Sequence, residues 1–275
     1  YNEIKIKYLF HYMFKASCIQ ICSGKDAVKN LSVSKKLILK AIKQKSDFII
    51  TPETSSLFGL NKKQLQRTAT VMKKDFYLNG IQELAKKYKK WILTCILTKE
   101  KNKIKNRSVL INPRGLSEIY YDKIHMYDAV LSKKEKYLES KTFSSGSSLK
   151  TVNLPWGKLG LSICYDVRFP NMFRKLSKKG SLFISVPSAF TKTTGKKHWH
   201  SLLKARAIEN FCYIFAPAQY GTHWNKRKTY GHSLIISPDG KILKELKNGM
   251  GVITANIDPN IPKILRKRIP SLNKN

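Results

Sequence analysis

GLSICYDVRFP occupies residues 160–170 and changes character at its midpoint. Gly160 to Ile163 form a short apolar run of small and branched residues, the pattern of a buried strand. Asp166 and Arg168 follow at once, and Pro170 cannot continue a strand but suits the first turn of a helix. Cys164 therefore stands where a strand gives way to a helix. Backbone N–H groups and the positive end of a helix dipole at such a turn lower a thiol's pKa from about 8.5 and favour the reactive thiolate. Read alone, however, the segment suits a small core side chain better, because free cysteine is among the most buried residue types. The rest of the chain has to decide.

Outward from this turn, strand-like and helical segments alternate, which predicts α/β layering. Strands are expected at 15–22, 47–51, 91–97, 108–112, 118–121, 158–164, 181–187, 212–218, 232–237, 241–246 and 251–257. Helices are expected at 26–45, 79–90, 170–179 and 196–210. Residues 60–80 give no clear pattern, 123–150 read as a long polar loop, and 259–275 as a basic tail with one helical turn. A loop of that length inside a domain usually carries function. No linker divides the chain, so 15–275 read as one domain preceded by a basic, aromatic arm over 1–14.

At 275 residues and 42% hydrophobic the chain can fill a substantial core and is not disordered. Its net charge of +36 invites a nucleic-acid partner. Yet nine of the 53 basic residues are Arg and 44 are Lys, spread along the chain. Base readout leans on Arg forks, so a compositional bias on solvated faces is the better reading and no specific nucleic-acid partner is expected. No run is long enough to span a membrane. Residues 1–14 lack a secretory h-region and a cleavage site; they read as an arm or as the remnant of a targeting peptide, mitochondrial import staying open. Five cysteines (18, 22, 95, 164, 212) have no zinc-like spacing, so free thiols in a reducing, cytoplasmic setting are expected, with neither metal nor cofactor.

Three segments put a reactive side chain just past a strand: Glu53 after DFIIT, Lys123 after EIYYD, and Cys164 after GLSI. Sites in α/β sheets gather beyond the carboxyl ends of strands. A thiolate attacks a carbonyl or nitrile carbon, a carboxylate shuttles its proton, and an ammonium with a backbone N–H holds the oxyanion. Alone, Glu53 is an ordinary helix-start carboxylate, and a single Lys in this chain means little.

Together, FIITPETSSLFG (48–59), YYDKIHMYD (120–128), LESKTFSSG (138–146) and GLSICYDVRFP resemble the nitrilase superfamily of carbon–nitrogen hydrolases, in its order and at its separations, over about residues 15–260. The resemblance implies an α-β-β-α sandwich, a homodimer, and amide hydrolysis through a thioester on Cys164. It implies Glu53 as general base, Lys123 on the oxyanion side, and Glu139 orienting the lysine, with the N–H of Tyr165 as second oxyanion donor. VPSAFTKTTGKKHWH (186–200), APAQYGTH (216–223) and YGHSLIISPDG (230–240) resemble the branch acting on deaminated glutathione, with omega-amidase or another carbon–nitrogen hydrolase, such as a carbamoyl hydrolase, as alternative. The first two imply a small amide substrate carrying a 2-oxo acid, so a cation is needed. Arg168 is the candidate, against a structural pairing with Asp166 or another nearby acid; Phe190 and Thr191 would line the pocket. His198 and His232 read as packing or hydrogen-bonding residues. A catalytically silent basic binding protein is the reading from another class. Asp122 and Ser145 replace the family's usual Arg and Pro, and 129–137 is lysine-rich where relatives carry an acidic loop. These departures bear on substrate more than on reaction.

Overall fold

The structure, a computed structural model, describes residues 12–117, 119–133 and 135–272. Strand β1 (Phe14–Gln20) turns Phe14, Ala16 and Cys18 towards a core between two sheets, while Ile19 and the following Ile21 meet a layer of helices. In β2 (Phe48–Ile50), Phe48 and Ile50 take the first side and Ile49 the second. Successive side chains of a strand point to opposite faces, so a strand apolar at every position must be covered on both. Burying each Leu, Ile or Phe is worth about 1.5–3 kcal/mol, which makes that double covering the dominant constraint on the fold.

The first sheet runs β16 (Gly251–Ile257), β1, β2, β3 (Trp91–Glu100), β4 (Lys103–Ile111), β5 (Ile119–Asp122). The second runs β15 (Ile242–Leu246), β14 (Ser233–Ile236), β11 (Tyr213–Ala216), β10 (Ser181–Ser185), β9 (Gly157–Leu161), β8 (Thr151–Leu154). Each has three parallel strands at its centre and antiparallel strands outside them. Phe48 of one sheet meets Phe215 of the other edge to face, with centroids 6.0 Å apart. Helices α1 (Ala27–Lys43) and α3 (Phe76–Tyr88) cover the first sheet; α4 (Pro170–Lys178) and α5 (Lys192–Asn210) cover the second. Asp26 caps α1 through Val28 and Lys29, and Asp75 caps α3 through Leu78. The α-β-β-α sandwich expected from the sequence is the fold.

Several boundaries differ from the expectation. The unclear stretch 60–80 holds α2 (Lys62–Thr68), whose Asn61 and Gln64 form a capping box, and the first turn of α3. β3 and β4 are longer than expected because they form one hairpin that runs past the core. The supposed loop 123–150 contains the hairpin β6 (Asp128–Ser132) and β7 (Glu135–Leu138), which alternates between exposed and half-buried positions and so lacks an apolar run. The short pair β12 (Tyr220–Thr222) and β13 (Lys228–Tyr230) is equally silent in the sequence, as is β8. Helix α5 starts at Lys192, where the Thr191 hydroxyl caps Thr194 N–H. The C-terminal tail carries α6 (Asn260–Arg268), longer than one turn. The expected arm over 1–14 lies, through residue 11, outside the described residues.

Candidate active site

Glu53 lies three residues past β2, Lys123 immediately past β5, and Cys164 three past β9. The first two come from one sheet and the third from the other, and their side chains converge on one cavity of about 310 Å³. Lys123 Nζ donates to Glu53 Oε1 at 2.9 Å and to both oxygens of Glu139 at 2.9 and 2.7 Å. Asn106, on β4, donates to Glu53 Oε1 at 2.8 Å, and the Ala189 N–H to Glu53 Oε2 at 2.8 Å. Glu139 Oε2 also accepts from the Tyr127 N–H at 2.6 Å. Gln219, fully buried, ties the Glu53 carbonyl to Ser23.

Lys123 is 2% exposed. Burial would lower its pKa, but Glu139 and Glu53 raise it well above the usual lysine range, so it stays an ammonium. Burial would likewise raise Glu53; the charge and hydrogen bond of Lys123 outweigh that and hold it below its ordinary value. The Cys164 thiol goes the other way. Burial first, then the negative charge of Glu53, push it well above the usual thiol value despite Lys123. This reverses the sequence expectation of a thiolate. Cys164 opens a single 3₁₀ turn, Cys164–Arg168, and α4 begins only at Pro170. A helix dipole fades within its first turn, so it does not offset desolvation. The resting pair is a neutral thiol beside a carboxylate that acts on it as charge and hydrogen-bond acceptor.

The nucleophile turn is held from behind. Cys164 has φ +48°, a left-handed conformation that costs energy in a residue with a Cβ. Fully buried Asp166 fixes it: Oδ2 accepts from Ile163 N at 2.8 Å and Tyr121 Oη at 2.7 Å, and Oδ1 from the His125 N–H at 3.1 Å with His125 Nδ1 2.7 Å away. His125 stacks on Phe169 at 3.5 Å. Gly146 closes the 139–146 loop against this corner: its N–H meets the Lys123 carbonyl at 2.8 Å, and a Cβ there would overlap the Asp122 carbonyl. Asp122 itself makes a two-pronged pair with Arg107, at 2.6 and 3.0 Å.

Tyr165, Phe190 and Thr191 line the cavity. Arg168 does not. Its Nη2 donates to His198 Nδ1 at 3.2 Å, and its guanidinium lies over Phe190 and Tyr165 at 5.2 and 5.8 Å. Both oxygens of Asp166 go elsewhere, so the alternative pairing with Arg168 is not formed. Burial and the Arg168 charge lower the His198 pKa and keep it a neutral acceptor. The cavity wall also carries Lys136 and Arg227, and sequence reasoning missed Arg227: it sits among lysines between two short strands that carry no apolar signal. Asn106 was missed because nothing marks one Asn inside a strand. His200 and His232 share Glu245 Oε1 at 3.0 and 2.6 Å, away from the cavity lining. On α5, Arg206 pairs with Glu209 at 2.8 Å.

The model of the carbon-nitrogen hydrolase family matches residues 15–262. The chain belongs to the carbon-nitrogen hydrolase family. It is an amide-hydrolysing enzyme, as the sequence pattern led one to expect. A deaminated glutathione amidase from a Synechocystis strain is 38% identical over 266 residues, covering 94% of this chain and 97% of the relative. One from Yersinia enterocolitica is 35% identical over 262 residues, covering 94% and 91%. The crystal structure of the Caenorhabditis elegans NitFhit protein superposes with a TM-score of 0.90 at 34% identity, over 97% of this chain and 66% of that longer one. Among the described residues of this carbon-nitrogen hydrolase, no helix is long and apolar enough to cross a membrane.

Proposed function

We propose that this enzyme cleaves the amide of a 2-oxo acid, deaminated glutathione, to 2-oxoglutarate and cysteinylglycine. The relatives' names support the substrate. The observation that carries the mechanism is the buried Glu53–Lys123–Glu139 chain facing Cys164 in one cavity. Glu53 takes the thiol proton as Sγ bonds to the amide carbon, and the carbonyl pair moves onto oxygen. Lys123 and the Tyr165 N–H hold that oxyanion. The intermediate collapses, the C–N bond breaks, and Glu53 hands its proton to the leaving amine. Glu53 then deprotonates a water that attacks the thioester, and the proton returns to sulfur as the S–C bond breaks. Glu139 keeps Lys123 charged and aimed. No step calls for a metal or cofactor.

Phe190 and Thr191 form the wall that meets the 2-oxo acid, and Arg168, behind the Tyr165 and Phe190 rings, acts on its carboxylate through charge from outside the lining. Five free cysteines fit a reducing cytoplasm. A homodimer is supported by apolar side chains open on α5 and α6, among them Ile208 and Ile264; sedimentation velocity tests it. Parallel assays on deaminated glutathione, 2-oxoglutaramate and N-carbamoyl compounds test the substrate. Preference for either of the latter two would replace the assignment, and hydrolysis of none would remove it.

A further inference from the structure

The catalytic cavity does not end at its own wall. It shares Lys136, Tyr137, Asn225 and Arg227 with an outer groove of about 510 Å³, whose further lining includes Lys192, Lys196, Lys226 and Lys228. The groove's one acid among the described residues, Glu135, is engaged by the Tyr137 hydroxyl at 3.0 Å and by Thr193 at 2.9 Å. Lysines cover much of this chain, so their number here proves little. Arg227 is different. It is half-buried, lies over the rings of Tyr137 and Phe58 at 4.9 and 5.3 Å, and donates Nη2 to the Ala189 carbonyl at 3.0 Å. Its Nε is buried with no hydrogen-bond partner. A guanidinium fixed by two rings and a carbonyl in a cavity wall, with no carboxylate partner among the described residues, is prepared for an oxyanion.

Its place relative to Glu53 gives it a direction. Glu53 must reach the nitrogen of the scissile amide to protonate it. The Ala189 backbone joins the two groups: its N–H donates to Glu53 Oε2 at 2.8 Å, and its carbonyl accepts from Arg227 at 3.0 Å. Arg227 therefore stands on the leaving-amine side, while Arg168 lies behind Tyr165 and Phe190. We propose that Arg227, with Lys136 and the groove beyond, is a second anion subsite that binds a carboxylate at the far end of the leaving amine. It selects substrates whose amine product is itself anionic, such as a dipeptide, over those that release ammonia. This deepens the proposed function and rests on it.

The test compares kcat/KM for deaminated glutathione, its C-terminal carboxamide and 2-oxoglutaramate. Wild type is expected to favour the free acid over the carboxamide by about 10-fold or more, the usual worth of a hydrogen bond to a charge. Arg227→Gln should bring that ratio close to one, Arg227→Lys should recover part of it, and Lys136→Ala should lower it. High salt should erode it. A wild-type ratio near one, or an Arg227→Gln ratio equal to wild type, overturns the subsite while the amidase reading stands. Wild type inert on all three removes both, and the two failures look different.

Discussion

Lys123 Nζ stands 2.9 Å from Oε1 of Glu53, a residue 70 positions earlier, and the two are almost wholly shielded from water. A buried ion pair of this kind is weak evidence for stability, because desolvation offsets much of the attraction. What it does here is set protonation states. Lys123 stays charged, Glu53 stays ionised, and the thiol beside them keeps its proton until a substrate arrives.

Glu53→Gln removes both the base and the charge that holds the thiol up. Turnover should fall by about 10²–10⁴-fold, while Cys164 becomes more acidic because the Glu53 charge is gone and Glu139 alone then balances Lys123. Thiolate absorbance against pH, with iodoacetamide rates, reads the second effect. A thiol no more acidic than wild type would refute the electrostatic assignment.

Lys123→Met leaves Glu53 and Glu139 close together with no cation between them. Breaking a buried pair costs about 3–5 kcal/mol, so the urea midpoint should drop markedly along with activity. Lys123→Met with Glu139→Gln should recover part of the stability and none of the turnover.

Cys164→Ala should abolish turnover with the fold retained, and substantial residual hydrolysis would end the nucleophile assignment. Because φ at this position is +48°, Cys164→Gly should be more stable than Cys164→Ala by about 1 kcal/mol. Calorimetry of the two variants separates strain from chemistry.

Asp166→Ala removes the acceptor for Ile163, Tyr121 and His125 at once. Each buried donor left without a partner costs about 1–3 kcal/mol. The variant should lose stability and kcat together, and Asp166→Asn should lose less of both.

His223 is buried against Phe58, with a ring nitrogen 2.8 Å from the Ser23 carbonyl and the other 2.8 Å from Thr229 Oγ1. Burial, with the Arg227 charge against a raising contact to Ser23, lowers its pKa from 6.5 to about 4. Between those values the unfolded chain takes up a proton that the folded protein refuses. This group's effect is therefore absent above pH 6.5 and destabilises progressively as the pH falls to 4, by about 3 kcal/mol in all. Urea unfolding of wild type and His223→Gln across this range should show that component missing from the variant.

The strands that carry the site are legible in the sequence because their apolar runs are short and end in turn residues. Glu53, Lys123 and Cys164 each follow one within three residues, so residue order alone marks their positions. Glu139 is marked by its motif alone, and the fold joins it to Lys123. The hairpin of β6 and β7 leaves no such mark, since a half-exposed strand has no continuous apolar run. The acidity of Cys164 escapes sequence reading for a related reason: sequence shows the neighbours along the chain, whereas desolvation and the Glu53 charge arrive from elsewhere in space.

The sequence by itself determined the layered class, the strand ends that bear reactive groups, and the family pattern that unites them, because these follow from local periodicity and residue order. Only the tertiary structure decided that Asn106 and Ala189 hold Glu53, that Asp166 serves the nucleophile turn rather than Arg168, and that Arg227 forms the cavity wall. Those pairings join residues tens to more than a hundred positions apart, and no local pattern encodes which distant group will satisfy a buried charge.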